Sequence, residues 1–127
     1  MKRNLALGVD IGGTNSVFGL CDEYGKLYFE ESVSTTDYST PEELVDKIYE
    51  RIKSVGHLPN IEGIGIGAPN GNFYSGTIEF APNLKWKGII PLARLFEYKF
   101  KVKTILTNDA NAAAIGEMIY GAGRDLK

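Results

Sequence analysis

The sequence from Leu5 to Asn15 is LALGVDIGGTN. Its apolar first half predicts a short buried strand that ends at Asp10. Two glycines follow, and backbone N–H groups in such a turn can converge on an anion, with the Thr14 hydroxyl as a further donor. A carboxylate at the strand tip can hold Mg²⁺ through water, because Mg²⁺ keeps much of its hydration shell. The residues alone leave two interpretations open: a phosphate-binding turn, or a plain glycine-rich turn that Asp10 caps.

The rest of the chain shows the periodicity of an α/β protein. Thr40-Pro41-Glu42-Glu43 predicts a helix that begins with a capping box and a proline at its first position. The predicted elements are strands at 5–9, 17–21 and 27–33, a helix at 41–55, a strand at 61–67, a hairpin at 73–80, a helix at 91–100, a strand at 103–107 and a helix from 108 onward. This order predicts an α/β fold with a mixed sheet and helices packed on it.

Composition and charge exclude several classes of protein. The 127 residues suit one compact domain, and 14 basic against 16 acidic residues leave a formal charge of −2. Such a chain lacks the basic surface that binds nucleic acid or an anionic membrane, and no apolar run approaches the roughly 18–20 residues of a membrane span. The single cysteine, Cys21, is expected as a small buried side chain and fits a reducing, cytoplasmic location. The single histidine, His57, is expected in a solvated loop. One cysteine and one histidine cannot build a standard structural zinc site.

A second candidate site is Asn108-Asp109, between the last predicted strand and the helix after it. Ligands of open α/β sheets bind beyond the carboxyl ends of the strands. Asp109 can act there as a general base on a substrate hydroxyl, and the Asn108 amide can fix hydroxyls by directional hydrogen bonds. Asn and Asp are also favoured helix N-caps, so a purely structural role stays open at this point.

Two loops, Gly67–Gly71 and Ala81–Trp86, are rich in small residues and amides. Such loops can present polar groups to a sugar, and they can equally be plain turns in which Trp86 is a partly buried anchor. The spacing from Gly63 to Ala68 also matches a GxGxxA dinucleotide fingerprint. We exclude that motif, because Pro69 and the residues after it stand where the fingerprint requires a helix to begin.

In combination these motifs resemble the ROK family of sugar kinases and repressors, within the actin-like ATPase superfamily. The resemblance runs from Leu5 to about Gly123 and is strongest in VDIGGTN at 9–15 and TNDANAAA at 107–114. It implies a ribonuclease H-like lobe. It also implies that Asp109 is the base on the 6-hydroxyl of a sugar, that Asn108 and Asn83 bind sugar hydroxyls and that Gly71 lines the pocket. The implied phosphate-binding residues are Gly12, Gly13 and Thr14, and Asp10 would face Mg²⁺.

Members of this family have two lobes, and this sequence resembles only the first. We therefore expect residues 1–127 to be a single N-terminal lobe, with the C-terminal lobe absent from this chain. By resemblance, the absent lobe carries further sugar ligands, most adenosine contacts and, in many members, a zinc motif, so zinc is expected only there. Family members commonly pair through that lobe, which predicts a homodimeric parent and leaves the state of this piece open.

The implied activity is phosphorylation of the 6-hydroxyl of glucose or a related hexose, with ATP and Mg²⁺ as cofactors. One alternative is a sugar-sensing transcriptional regulator or another non-catalytic sugar-binding protein, although family repressors carry a helix-turn-helix before the first strand and only four residues precede Leu5. Another is a kinase for fructose, mannose or an N-acetylhexosamine, since Asn70-Gly71 replaces a Pro-Gly found in many members. Because both lobes must close for phosphoryl transfer, this lobe alone is expected to be nearly inactive.

Overall fold

The structure is a computed structural model that describes residues 4–108. The strands are β1 (Leu5–Ile11), β2 (Asn15–Asp22), β3 (Leu27–Ser34), β4 (Ile61–Ala68), β5 (Gly71–Asn72), β6 (Thr77–Glu79), β7 (Ile89–Ile90) and β8 (Thr104–Asn108), and the helices are α1 (Pro41–Ser54) and α2 (Leu92–Phe100). Two short 3₁₀ turns lie at Thr35–Asp37 and Leu58–Asn60. The predicted helix after Asn108 lies outside the described residues, and Asn108 itself ends a strand rather than opening that helix.

The main sheet has five strands in the order β3-β2-β1-β4-β8. β1 pairs antiparallel with β2, and β2 antiparallel with β3, whereas β4 pairs parallel with β1 and with β8. The prediction of a mixed sheet with a parallel portion is therefore confirmed. Parallel neighbours require crossover connections, and α1 and α2 provide the connections into β4 and β8.

The two faces of this sheet differ in the size of their side chains. On one face, Leu7 pairs with Ile64 and Val9 with Ile66, and all four are fully buried. On the other face the same strands present the small residues Ala6, Gly8, Gly63, Gly65 and Gly67. The alternation of Gly and Ile along β4 thus separates two faces, which explains a strand unusually rich in glycine.

Helices α1 and α2 lie on the face with the large side chains. Arg51 of α1 donates to the Glu31 carboxylate at 2.8 Å, and Glu31 is the register partner of Phe18, which pairs in turn with Val9. At the other side of the face, the Glu97 carboxylate of α2 accepts from the Thr104 backbone N–H at 3.1 Å. Both helices bury apolar side chains, which join the sheet in one continuous core.

The start of α1 is built as the sequence predicts. The Thr40 hydroxyl accepts from the Glu43 backbone N–H at 3.2 Å, and the Glu43 carboxylate accepts from the Thr40 N–H at 3.4 Å. This capping box and the proline at the first turn fix where the helix begins. The helix buries Leu44, Ile48 and Ile52 and ends before Gly56, which has a φ of +82°.

A second, three-stranded sheet, β5-β6-β7, lies between β4 and α2 in the chain. The predicted hairpin at 73–80 is confirmed in outline, with a turn that contains Gly76 at a φ of +70°. Its strands differ from the prediction, because β5 starts at Gly71 and the two-residue β7 adds an edge that the sequence did not indicate. A strand of two residues carries too little periodicity to be recognised.

Two expectations about single residues need correction. Cys21 is half-buried rather than buried. Burial, and after it the neighbouring Asp22 carboxylate, raises the pKa of its thiol and so favours the protonated form. His57 is half-buried rather than solvated, and its Nδ1 is buried with no hydrogen-bond partner among the described residues. In the part of the chain from 4 to 108, neither helix has the length and apolar character required to cross a bilayer.

Loss of the α1 cap is expected to destabilise the fold without touching the sheet. Thr40→Ala removes the hydroxyl that accepts from Glu43, so we expect the free energy of unfolding to fall by about 1 kcal/mol. Urea denaturation followed by far-UV circular dichroism measures this change. Ser39→Ala is the matched control, because only the backbone of Ser39 takes part in the cap, and an equal loss in both variants would contradict the assignment.

Candidate active site

The carboxyl ends of β1, β4 and β8 lie side by side at one edge of the main sheet. In the register, Asp10 of β1 is level with Gly67 of β4, which is level with Thr107 of β8. Adjacent strands are about 4.8 Å apart, so the ends of β1 and β8 are separated by roughly 10 Å. The predicted phosphate turn after β1 and the predicted hydroxyl-binding residue Asn108 therefore share one edge, at a spacing that a hexose and a phosphoryl group can bridge.

The turn after β1 is tight and partly open to solvent. A Cβ added to Gly12 would collide with the Asn15 backbone carbonyl, so only glycine permits this path of the chain. Asp10, Gly12 and Gly13 are half-buried, whereas Thr14 is exposed. The exposed hydroxyl next to a constrained backbone is an arrangement that can receive an anion.

The loop that carries Asn83 packs directly against this turn. A Cβ added to Gly13 would lie 2.6 Å from the Asn83 backbone oxygen and 3.2 Å from the Asn83 Cβ. Real Cβ atoms do not approach a carbonyl oxygen so closely, so Gly13 is required for the contact. The structure thus brings together two motifs that are separated by about seventy residues in the sequence, and the Asn83 side chain is exposed beside the turn.

Gly71 has a comparable role on the other side of the site. A Cβ at this position would lie 2.6 Å from the Thr107 backbone oxygen and 2.7 Å from Leu106 Cδ2. The glycine therefore allows β5 to approach the end of β8 closely, one residue before Asn108. Gly71 thus lies beside the end of β8 that carries Asn108, and its role in lining a sugar pocket stays a prediction.

Asn70, just before Gly71, has a backbone conformation that excludes proline at this position. Its φ is +56°, a left-handed conformation that proline cannot adopt because its ring holds φ near −65°. The Asn70 side-chain amide donates to the backbone oxygens of Glu79 and Phe80 at 3.0 and 3.2 Å. The amide therefore ties the loop after β4 to the end of β6.

Lys85 and Trp86 follow Asn83 and fasten its loop to another part of the chain. Trp86 is 4% exposed and its indole N–H donates to the Tyr38 backbone oxygen at 3.0 Å. Lys85 donates to the Thr36 backbone oxygen at 2.9 Å. The interpretation of Trp86 as a buried anchor is confirmed, and the segment at 35–38, which carries no sequence motif, proves to be its partner.

The residues at this edge fit a magnesium ion held through water. Among residues 4–108 no three His, Cys, Asp or Glu side chains converge on a metal site, so a direct protein cage is not offered there. Asp10 is a single carboxylate at the strand tip, which suits Mg²⁺ because this ion retains several waters and takes few protein ligands. Asp109, the predicted base, lies outside the described residues, directly after Asn108.

The model of the ROK family matches residues 6–127 of the sequence. The chain belongs to the ROK family. A glucokinase from Streptomyces coelicolor is 40% identical over 123 residues, which cover 94% of this chain and 37% of that protein. The crystal structure of a ROK family glucokinase from Streptomyces griseus in complex with glucose and AMPPNP is 39% identical and superimposes with a TM-score of 0.71, over 94% of this chain and 38% of that one.

The same family contains relatives of another class. A xylose repressor from Caldicellulosiruptor bescii is 36% identical over 121 residues, which cover 91% of this chain and 30% of the repressor. The chain therefore spans about a third of the length of these two curated relatives. The mixed α/β architecture agrees with the fold of the ROK glucokinase structure, which confirms the predicted fold class.

A side chain at position 71 is expected to disturb the junction of β5 and β8. Gly71→Ala places a Cβ against the Thr107 backbone oxygen, and such overpacking typically costs about 1–3 kcal/mol. Differential scanning fluorimetry should show a melting temperature lower by roughly 4 °C for each kcal/mol. Ser75→Ala, in the exposed turn of the same hairpin, serves as the control, and an unchanged melting temperature for Gly71→Ala would show that the approach to β8 is looser than described.

Proposed function

We propose that the protein from which this lobe derives transfers the γ-phosphoryl group of ATP to the 6-hydroxyl of a hexose, with glucose as the first substrate to test. The observation that supports this proposal most is the contact between the Gly12-Gly13 turn and the Asn83 loop. This contact lies at the edge of the main sheet where β8 ends with Asn108. A phosphate-binding turn and a hydroxyl-binding loop in contact are what transfer between these two groups requires. The glucokinase relatives support the same chemistry.

In this proposal, different residues of the lobe bind the two substrates. Backbone N–H groups of Gly12 and Gly13 and the Thr14 hydroxyl contact the phosphates, while Asn83 and Asn108 orient the hexose by hydrogen bonds to its hydroxyls, beside Gly71. Asp109 accepts the proton of the attacking hydroxyl. A carboxylate is a weak base, which phosphoryl transfer tolerates because its loose transition state depends on positioning.

Asp10 is the residue that would hold a magnesium ion on the phosphate side, through water. The ion would supply positive charge beside the phosphates. Because Asp10 and Asn108 lie at opposite sides of the β4 end, the negative charge of the ion-binding carboxylate is kept apart from the hydroxyl-binding residues. This separation lets the attacking hydroxyl and the nucleotide approach from different sides.

A second candidate function is a sugar-responsive repressor, which the similarity to xylose repressors favours. A sensor needs the same hydroxyl-binding residues but has no use for a base, so the carboxylate at position 109 favours the kinase. Kinases for fructose, mannose or an N-acetylhexosamine use the same geometry, and the hexose panel described next distinguishes them. The proposed parent is a cytoplasmic homodimer that pairs through the lobe this chain lacks, with any zinc in that lobe.

Removal of the proposed base is expected to lower turnover and leave substrate binding nearly intact. In the full-length parent, Asp109→Ala should reduce kcat on the order of a hundredfold or more with little change in the KM for hexose, because general-base catalysis contributes at least that much. A coupled assay with glucose, mannose, fructose and N-acetylglucosamine measures both constants.

Glu62→Ala is the matched control for this experiment. It removes an exposed carboxylate at the opposite end of β4, and should leave kcat unchanged. If the wild type binds a hexose but phosphorylates none of the four, the repressor hypothesis replaces the kinase and Asp109 is a helix cap. If Asp109→Ala retains full kcat, another group accepts the proton.

The isolated chain 1–127 is expected to show little or no kinase activity. Positioning and electrostatic stabilisation need both sides of the cleft, and this lobe supplies one. The same assay on the chain, beside the full-length parent at equal concentration, measures the difference. Emission of Trp86, which is the only tryptophan of the sequence and is 4% exposed, reports that the chain is folded, and robust turnover by the folded chain would contradict the requirement for a second lobe.

A further inference from the structure

Residues 35–38, which we call the brace, connect the two halves of the candidate active site. The brace follows β3 and begins as the 3₁₀ turn Thr35–Asp37. It contacts the turn at 12–15 on one side and the loop at 83–86 on the other. Neither contact is local in the sequence, so the brace acts as a tertiary link.

The contact with the phosphate turn is buried and made by Thr35. Thr35 is 1% exposed and its backbone N–H donates to the Thr14 backbone oxygen at 2.8 Å. Its hydroxyl lies 2.6 Å from the hydroxyl of Ser16, which is fully buried at the start of β2. A hydrogen bond between two buried hydroxyls is costly to break, since a lone partner remains without water.

The contact with the sugar loop is made by the backbone of the brace. The backbone oxygens of Thr36 and Tyr38 accept from Lys85 and from the Trp86 indole, at 2.9 and 3.0 Å. Two donors from successive residues fix both the position and the orientation of the loop. The burial of the Trp86 ring makes this end of the link rigid.

The loop at 83–86 also contacts the turn at 12–15 directly. Asn83 lies two residues before Lys85, and its backbone oxygen is so near Gly13 that a Cβ there would be 2.6 Å away. Turn, brace and loop therefore contact one another pairwise. A displacement of one of the three shifts the other two, because packed interiors transmit strain.

We propose that Thr35 is a positioning residue that couples binding of the hexose at the Asn83 loop to binding of the nucleotide at the Gly12–Thr14 turn. The inference rests on the proposed function, since it assigns the turn to phosphates and the loop to sugar. Ordering of the turn by a nucleotide orders the loop through the brace, so the second ligand meets a site that is already arranged. Thr35 itself contacts neither substrate in this scheme.

Isothermal titration of the full-length parent with glucose, with and without AMPPNP and Mg²⁺, tests the coupling. In the wild type the nucleotide analogue should tighten glucose binding about fivefold or more, the lower end of common coupling strengths. In Thr35→Val, which removes the hydroxyl and keeps the shape, that factor should fall towards one. Thr35→Ser should restore it, because the hydroxyl returns.

Thr36→Val is the matched control. Thr36 is exposed, and its hydroxyl forms a hydrogen bond with the Ser34 hydroxyl at the surface. Its backbone oxygen still accepts from Lys85 after the change. This variant should keep the wild-type coupling factor. A purely structural effect of Thr35→Val would lower the melting temperature and leave the factor unchanged, which would overturn the proposal.

Trp86→Phe tests the other end of the brace, at Tyr38. It provides a second test if Thr35→Val fails to fold. It removes the indole donor to Tyr38 and should reduce the coupling factor as well. A wild type that phosphorylates glucose but shows no coupling contradicts this inference alone and leaves the kinase intact. A wild type that binds no nucleotide analogue contradicts the proposed function and the coupling together.

Discussion

The candidate active site depends on the parallel pairing of β4 with β1 on one side and with β8 on the other. This pairing brings Asp10, Gly67 and Thr107 to the same level, and so sets where the three connecting loops begin. Two crossover helices on the large-residue face hold the register, because a slip by one residue would exchange Ile64 and Ile66 for glycines in the core. The register of these three strands therefore determines both which side chains are buried and where the candidate site lies.

Glycine determines how closely the loops at that edge approach each other. Gly13 admits the Asn83 backbone, and Gly71 admits the end of β8, in each case where a Cβ would be 2.6 Å from a carbonyl oxygen. These glycines position neighbouring residues and need not touch a ligand to matter for binding. A sequence pattern interpreted only as a phosphate-binding motif misses this second function, since Gly13 is in direct contact with the loop proposed to hold the sugar.

Local signals in the sequence predict much of this fold. The capping box at Thr40, the buried strand at 61–67 and the apolar strand before Asp10 each depend on neighbours in the chain. Each is found, with β1 continuing to Ile11. The brace at 35–38 could not be predicted, because its contacts join Thr35 to Ser16 and Tyr38 to Trp86 across long stretches of sequence. Nothing in Ser-Thr-Thr-Asp distinguishes such a turn from a solvated connection. The motifs indicate which residues are candidates for the site, whereas the tertiary contacts determine which of them meet.

The proposed division of tasks in this lobe is compatible with both kinases and repressors among the relatives. Holding a sugar requires oriented amides and a fixed loop, and a regulator needs these as much as an enzyme does. Phosphoryl transfer adds a phosphate turn in fixed relation to that loop, because its rate depends on alignment of the attacking oxygen with the phosphorus. The brace supplies such a relation through a buried hydrogen bond at Thr35 and a partly buried one at Tyr38. In a regulator the same link would transmit the presence of sugar to another surface, so one set of contacts suits both proposed functions. Under the proposed mechanism, Asp109 is the residue that a kinase requires and a regulator does not.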